Sequence, residues 1–262
     1  MPATPGVERP PLTACGFSHP GRVRDDNEDA FGSFLEERLF VVADGMGGHN
    51  AGQVASLMTV DAIETFFRSY HADPRQSWPH GIDKTLSLGA NLLRVGIKVA
   101  NDQVRAAAAA DRARARMGST VVALAVGDAQ LTVAHTGDSR AYRIRDDEVK
   151  RLTRDHSVLE EMLAVRPDLK GEEVAAFAHR NVVTKSLGSK EEVEPTLYVN
   201  TLQRGDRYLL CSDGLWSVVP DERILAIVAA NPDIEAACQL LIDAANDAGG
   251  PDNITAVLVR VG

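Results

Sequence analysis

Four aspartates in this chain stand where a run of strand-forming residues meets a turn. Asp44 follows "LFVVA", Asp213 follows "LLCS", Asp138 lies just past "TVAHTG", and Asp252 sits in "GGPDN" directly before "ITAVLV". An acidic pair, Glu28 and Asp29, precedes another apolar stretch in "RVRDDNEDAF". A single aspartate at a strand end is an ordinary turn former or helix cap. Four of them, with an acidic pair, point to carboxylates gathered at one place. Gathered carboxylates repel one another, and each is costly to desolvate unless a cation is present. No histidine or cysteine cluster accompanies them, so the implied ligands are all oxygen, which suits Mg2+ or Mn2+ and argues against zinc. Glycine after Asp44 and after Asp213 lets the backbone approach closely, and the Gly45 carbonyl is a further candidate ligand. Two such ions roughly 3.5–4 Å apart would clamp a phosphoryl group and acidify a bridging water. Arg24, four residues before Glu28, is the best-placed guanidinium to hold phosphate oxygens.

These residues need strands that end together. The run after Ala51 places Val54, Leu57, Met58, Ala62, Ile63, Phe66 and Phe67 at helical spacing. A second amphipathic helix is predicted from Asp83 to about Ala110, and the two helices are expected to cover one side of a sheet. From Ser119 the period changes. "STVVALAV", "QLTVAHT" and "RAYRIR" read as strands separated by "GDA", "GDS" and "DDE" turns. Such short connections imply antiparallel hairpins. "KEEVEPTLYVN", "RYLLCS" and "NITAVLVRV" supply further strands. Two more helices are expected, one over Asp221–Ala230 and one starting at Asn231-Pro232 and ending near Gly250. The order lacks the βαβα alternation of a doubly wound sheet and fits a mainly antiparallel α+β core with helix pairs outside. His156 to about Lys190 is polar and weakly periodic, and reads as an appended flap of small helices and loop.

Composition narrows the function. The 262 residues carry a net charge of −9, and the one basic cluster, Asp111 to Gly118, reads as a solvated helix end, so no nucleic-acid partner is expected. No apolar run reaches membrane-spanning length, and the proline-rich start has no signal-peptide pattern. Three widely separated cysteines give neither a disulfide framework nor a zinc site, so a cytoplasmic protein is expected. "GMGG" lacks the Lys-Ser/Thr ending of a P-loop. Cys211 sits in an apolar strand and has Ser217 where a Cys-x5-Arg phosphatase loop needs arginine. His156 and His179 read as flap or core histidines.

In order along the chain, "RDDNEDA", "VVADGMGGH", "MGSTVVALAV", "HTGDSRAYR", "LTRDHS", "NVVTKSLG", "LLCSDGLW" and "GGPDNITAVLV" resemble the metal-dependent Ser/Thr protein phosphatases of the type 2C family, in the compact stand-alone form found in bacteria. The resemblance spans about Cys15 to Val261. It implies a four-layer αββα sandwich of two mainly antiparallel sheets flanked by helix pairs. With no internal repeat or long linker the chain reads as one catalytic domain over 15–262 after a flexible, proline-rich tail at 1–14, and the resemblance places a flap at about 157–188 beside the site. Carried onto these positions, Asp44 bridges two Mn2+ or Mg2+ ions. Asp213 and Asp252 complete one ion, the Gly45 carbonyl binds the other, and Glu28 and Asp29 act through bound waters. Arg24 grips the substrate phosphate, and Asp138 with Asp213 holds a third, weaker ion. The implied reaction is attack of metal-activated water on phosphoserine or phosphothreonine in proteins, opposing Ser/Thr kinases, by a monomer.

One departure concerns the leaving group. Some members carry histidine directly after the first Asp-Gly, where this chain has Met46, and its nearest histidine is His49. Metal-bound water is preferred over His49 as the acid. The rival reading in another class is a catalytically weak phosphatase fold serving as a binding or regulatory module for one phosphoprotein. Loss of Asp44, Asp213 or Asp252 would have favoured it, and all three are present.

Overall fold

A computed structural model describes residues 9–48, 50–169, 173 and 182–262. The strands are β1 (Leu12–His19), β2 (Asp29–Phe34), β3 (Leu39–Met46), β4 (Gly118–Ser119), β5 (Val121–Val126), β6 (Gln130–Thr136), β7 (Arg140–Arg145), β8 (Glu148–Arg151), β9 (Thr196–Thr201), β10 (Arg207–Cys211) and β11 (Ile254–Val261). The helices are α1 (Ala51–Ala72), α2 (Leu88–Ala110), α3 (Val158–Val165), the single turn α4 (Asp213–Trp216), α5 (Asp221–Ala230) and α6 (Ile234–Asp247). One sheet has the order β1-β11-β10-β7-β8 and the other β2-β3-β5-β6-β9, with β4 pairing β3. Every strand pair among the described residues is antiparallel.

The period-two geometry of strands sorts each apolar run onto two cores. In β5, Val121, Ala123 and Ala125 face the core shared with α1 and α2. Val122, Leu124 and Val126, from the same strand, face the core between the sheets. β11 does the same in its own sheet: Ile254, Ala256 and Leu258 pack under α5 and α6, while Val257, Val259 and Val261 meet the inner face of the sheet that holds β5. A strand with an apolar core on both sides needs apolar residues at every position, which explains why "VVALAV" shows no alternation. Three stacked cores between four layers make the αββα sandwich.

Several boundaries differ from the sequence reading. β1 begins at Leu12, inside the expected tail, because Leu12, Thr13 and Ala14 pair with Val261, Arg260 and Val259. Residues 1–8 of that tail lie outside the described residues. α2 starts at Leu88, capped by the Ser87 hydroxyl, which accepts from the Ala90 amide at 3.2 Å. Asp83 instead closes a turn by accepting from the amide and hydroxyl of Thr85. The Asn231-Pro232 start is also corrected. Asp233 caps α6 by accepting from Glu235 N, and Asn231 donates to Ile227 O at the end of α5. Of the "KEEVEPTLYVN" run only the part from Thr196 onward is strand, which continues to Thr201. Among the described residues, no helix is long and apolar enough to cross a membrane.

Candidate metal centre

Strand register brings the first two carboxylates together. Asp29 opens β2 directly opposite Asp44 in β3, and cross-strand partners have Cβ atoms about 5 Å apart. The Asp44 backbone is clamped by the "ST" that starts the next strand pair. Thr120 N donates to Asp44 O at 2.8 Å, Asp44 N donates to Thr120 Oγ1 at 3.1 Å, and Ser119 Oγ donates to Asp44 O at 3.1 Å. Gly45 follows where no side chain fits, since a Cβ there would lie 2.0 Å from Gly52 O and 2.6 Å from Glu28 O. Glu28 reaches α1, its Oε1 accepting from Gly52 N at 3.1 Å. Its main-chain oxygen accepts from Gly45 N and Ser56 Oγ.

The other sheet supplies the opposite wall. Asp213 starts the single turn α4, where Gly214 must be glycine because a Cβ would meet Asn253 O at 2.0 Å. Asn253 fixes the loop that carries Arg24: its Nδ2 donates to Pro20 O and Asp26 O, and its Oδ1 accepts from Glu28 N. Asp252 Oδ2 accepts from the Arg24 guanidinium at 2.8 Å, and its Oδ1 from Asn253 N at 2.9 Å. Asp138 follows the β6–β7 turn at Gly137, whose φ of +108° favours glycine.

A cleft of about 530 Å3 is lined by Arg24, Glu28, Asp44, Gly45, Asp138, Asp213 and Asp252, together with Met46, Thr120 and Val183. Seven of the eight residues singled out from the sequence therefore share one opening. Asp29, the eighth, lies buried and opposite Asp44. Its Oδ2 accepts from Ser212 Oγ and Thr255 Oγ1, both at 2.7 Å, and its Oδ1 is buried with no hydrogen-bond partner.

The electrostatics are those of crowded acids. Burial raises Asp44 well above the usual carboxylate range, and Asp29, Asp213, Asp138 and Asp252 add to the rise. Burial pushes Asp29 and Asp138 up to about 7 each, with Asp213 contributing to both. Asp213 is pushed to about 6 by burial and then by Asp252. Glu28 is raised by burial. Among the described residues, no three acidic, thiol or imidazole side chains converge at coordination distance. Asp252 is turned toward Arg24. The carboxyls thus ring the cleft, as mutual repulsion requires. An orphaned buried carboxylate oxygen, an all-oxygen donor set and the raised carboxyls of Glu28, Asp29, Asp44, Asp138 and Asp213 fit a hard divalent cation.

Sequence reasoning missed the residues that hold the ligands: Ser119, Thr120, Ser212, Asn253 and Thr255. For Ser212, Asn253 and Thr255 the signal is a hydroxyl or amide beside an acidic motif, in "CSD" and "DNIT"; Ser119 and Thr120, in "GST", have no acid near them in the sequence. Arg24 is where the sequence puts it, at the cleft, but engaged by Asp252. Met46 lines the cleft, whereas His49 and His179 lie outside the described residues. Cys211 is fully buried in β10, and burial pushes its thiol up, which leaves it inert.

Residues 16–249 match the family described as Protein phosphatase 2C. The chain is 33 % identical over 247 residues to the serine/threonine phosphatase stp of Listeria innocua, covering 92 % of each. Its structure superposes on the serine/threonine phosphatase Stp1 from Staphylococcus aureus with a TM-score of 0.85 at 32 % identity, over 100 % of both chains. It also superposes on the catalytic domain of the serine/threonine protein phosphatase PstP in complex with two manganese ions. That match has a TM-score of 0.79 at 34 % identity and covers 95 % of this chain and 98 % of that one.

Proposed function

The chain belongs to the protein phosphatase 2C family and is a serine/threonine phosphatase of that type, and we propose that the acidic cleft is its catalytic centre, loaded with two Mn2+ or Mg2+ ions. The observation that carries the proposal is the shared lining of one cleft by Arg24, Glu28, Asp44, Gly45, Asp138, Asp213 and Asp252. Asp44 would serve both ions, Asp213 and Asp252 one of them, and the Gly45 carbonyl the other. Glu28 and the buried Asp29 would act through water. Asp138 with Asp213 would hold a third, weaker ion. When bound, the ions supply positive charge that acidifies an attacking water and polarises the phosphoryl oxygens.

The protein's own residues do the rest. Arg24 carries a fork of donors matched to phosphate. Its ion pair with Asp252 keeps it at the cleft mouth until a phosphate competes for it. Glu28 and Asp29 present acceptors that orient water. Met46 has no proton to give, so the leaving alkoxide takes its proton from water in the cleft. The substrates are phosphoserine and phosphothreonine proteins, and opposing Ser/Thr kinases is the role we assign to a monomer in the cytoplasm. Residues 12–262 would form one catalytic unit, with 157–188, of which 170–172 and 174–181 lie outside the described residues, as a flap.

The test is hydrolysis of a phosphothreonine peptide by metal-stripped protein, with and without Mn2+, alongside Asp213→Asn. Activity that needs Mn2+, disappears with chelator and is lost in the variant is the expected result. A folded protein that turns over nothing in any divalent metal would overturn the catalytic reading.

A further inference from the structure

We propose that His156 is a positioning residue. Its neutral imidazole fixes the Gly137–Asp138 turn while its main chain joins the segment bordering the cleft, so that ion binding at Asp138 depends on it. The inference rests on the preceding reading of Asp138 as an ion ligand.

Gly137 is held from both sides by one residue. Its amide donates to His156 Nδ1 at 3.1 Å, and its carbonyl accepts from the His156 amide at 2.9 Å. An amide can only donate, so Nδ1 carries the lone pair and Nε2 the hydrogen. Nε2–H then donates to Thr196 Oγ1 at 2.9 Å. Both ring nitrogens are used, and the tautomer is determined by its neighbours. The ring also stacks flat on the buried His135, with centroids 4.5 Å apart and planes 3° from parallel. Burial, followed by His135 and Lys185, pushes His156 down to about 3, in keeping with a neutral ring.

The turn cannot fix itself. Gly137 has φ +108° and no side chain, and a Cβ there would lie 2.6 Å from Thr120 Cβ. It is wedged between Thr120, which clamps Asp44, and His156. The far side of His156 faces the cleft-bordering segment: its carbonyl accepts from Thr184 N at 2.8 Å. Next to it, Ser157 and Val183 form an antiparallel bridge, and Val158 N donates to Val182 O. Val183 itself lines the cleft. His156 thus holds the turn that carries Asp138 with its ring and meets a cleft wall with its main chain. Partners of this outer kind orient ligands and set their affinity.

The experiment is Mn2+ titration of folded, metal-stripped protein by calorimetry and electron paramagnetic resonance, with steady-state kinetics on a phosphothreonine peptide. Asp138→Asn should abolish the weakest ion site. His156→Leu should weaken that same site by roughly tenfold or more, leave the tighter sites unchanged, and lower kcat more than it raises KM. His156→Asn places an acceptor where Nδ1 was and should restore most of the affinity, which a merely space-filling role would not predict. If Asp138→Asn abolishes the site but a folded His156→Leu leaves it intact, the role of His156 is refuted and the ligand reading stands. If Asp138→Asn leaves every site intact, both are refuted. Should His156→Leu fail to fold, Thr196→Val removes only the acceptor of Nε2–H. Weakening of the same site would then support the proposal, and an unchanged site would overturn it.

Discussion

Replacing Asp138 with asparagine should make the metal-free protein more stable at pH 8 and bring no gain at pH 5. Asp138 is 5 % exposed, and burial, reinforced by Asp213, moves its carboxyl from 3.8 to about 7. Across that window the folded chain keeps a proton that the unfolded chain has released. Stability therefore falls as pH rises from about 4 to about 7 and stays reduced above it. At about 1.4 kcal/mol per pH unit, the ionised carboxylate costs the folded state at most about 4 kcal/mol at pH 8. Asparagine keeps the shape and removes the charge, but its buried amide loses about 1–3 kcal/mol if it finds no acceptor. The net gain at pH 8 is then about 1–3 kcal/mol. For a chain of this size that corresponds to a Tm rise of roughly 2–10 °C.

At pH 5 the folded carboxyl is protonated while most unfolded ones have ionised, so only about 1.6 kcal/mol of that cost has developed, and the amide penalty of about 1–3 kcal/mol cancels or outweighs it. His135 and His156, held neutral with lowered pKa, act in the opposite direction. Their contribution is present above pH 6.5 and is lost as pH falls below it. It is common to both proteins and cancels when they are compared at one pH. The assay is thermal or urea unfolding in chelator at pH 5 and pH 8. A shift of equal size at both pH values, or a variant less stable than wild type at pH 8, would refute the reasoning. Adding Mn2+ should reverse the order at pH 8, because the wild-type carboxylate then gains a counter-ion that the amide cannot match.

Gly45→Ala would push a methyl to 2.0 Å from Gly52 O, so activity should be lost along with a marked fall in Tm; a crystal structure with β3 undisturbed would contradict this. Arg24→Ala removes a charge-assisted bond to phosphate, and KM for a phosphopeptide should rise roughly 10–100-fold. Because Arg24 also competes for Asp252, Mn2+ affinity measured by calorimetry should stay level or tighten, not weaken. Far from the cleft, Asp206 is wholly buried and accepts from Arg145 Nη2 at 2.6 Å, Tyr208 Oη at 2.7 Å and Gln203 N at 3.0 Å. Asp206→Ala should lower unfolding free energy by about 3–5 kcal/mol in urea, while the metal dependence of the surviving folded enzyme stays as it was.

The central strands were legible because apolar runs such as "VVALAV" leave few options once both faces must be buried. β1 was not. "LTACGFSH" is mixed in character, and its partner β11 lies at the opposite end of the chain. A strand whose stability comes from so distant a neighbour leaves no local trace of its pairing. The two shifted helix starts have the same origin at shorter range. Asp83, Asn231 and Asp233 are all good cap residues. Which of them caps depends on whether the following backbone is free to turn, and propensity does not encode that.

The carboxylates were legible for the reason that makes them costly. Acids at apolar strand ends have no structural use that repeats four times, so their recurrence pointed to a common ligand. What holds them was not legible, because those contacts join residues remote in sequence: Ser212 and Thr255 reach Asp29 across 183 and 226 positions. A hydroxyl beside an acidic motif is too common to read by itself. It acquires meaning only when the sheets stack and Asp29 turns out to have one oxygen held by two hydroxyls and the other held by nothing. Arg24 shows the same limit from the other side. Its type and position gave its place at the cleft, but its pairing with Asp252 follows from the Asn253 bonds that fold the Pro20–Glu28 loop onto the second sheet. The sequence can therefore name the charges that need a cation, while the order in which Arg24 and a metal ion compete for Asp252 is a property of the folded cleft alone.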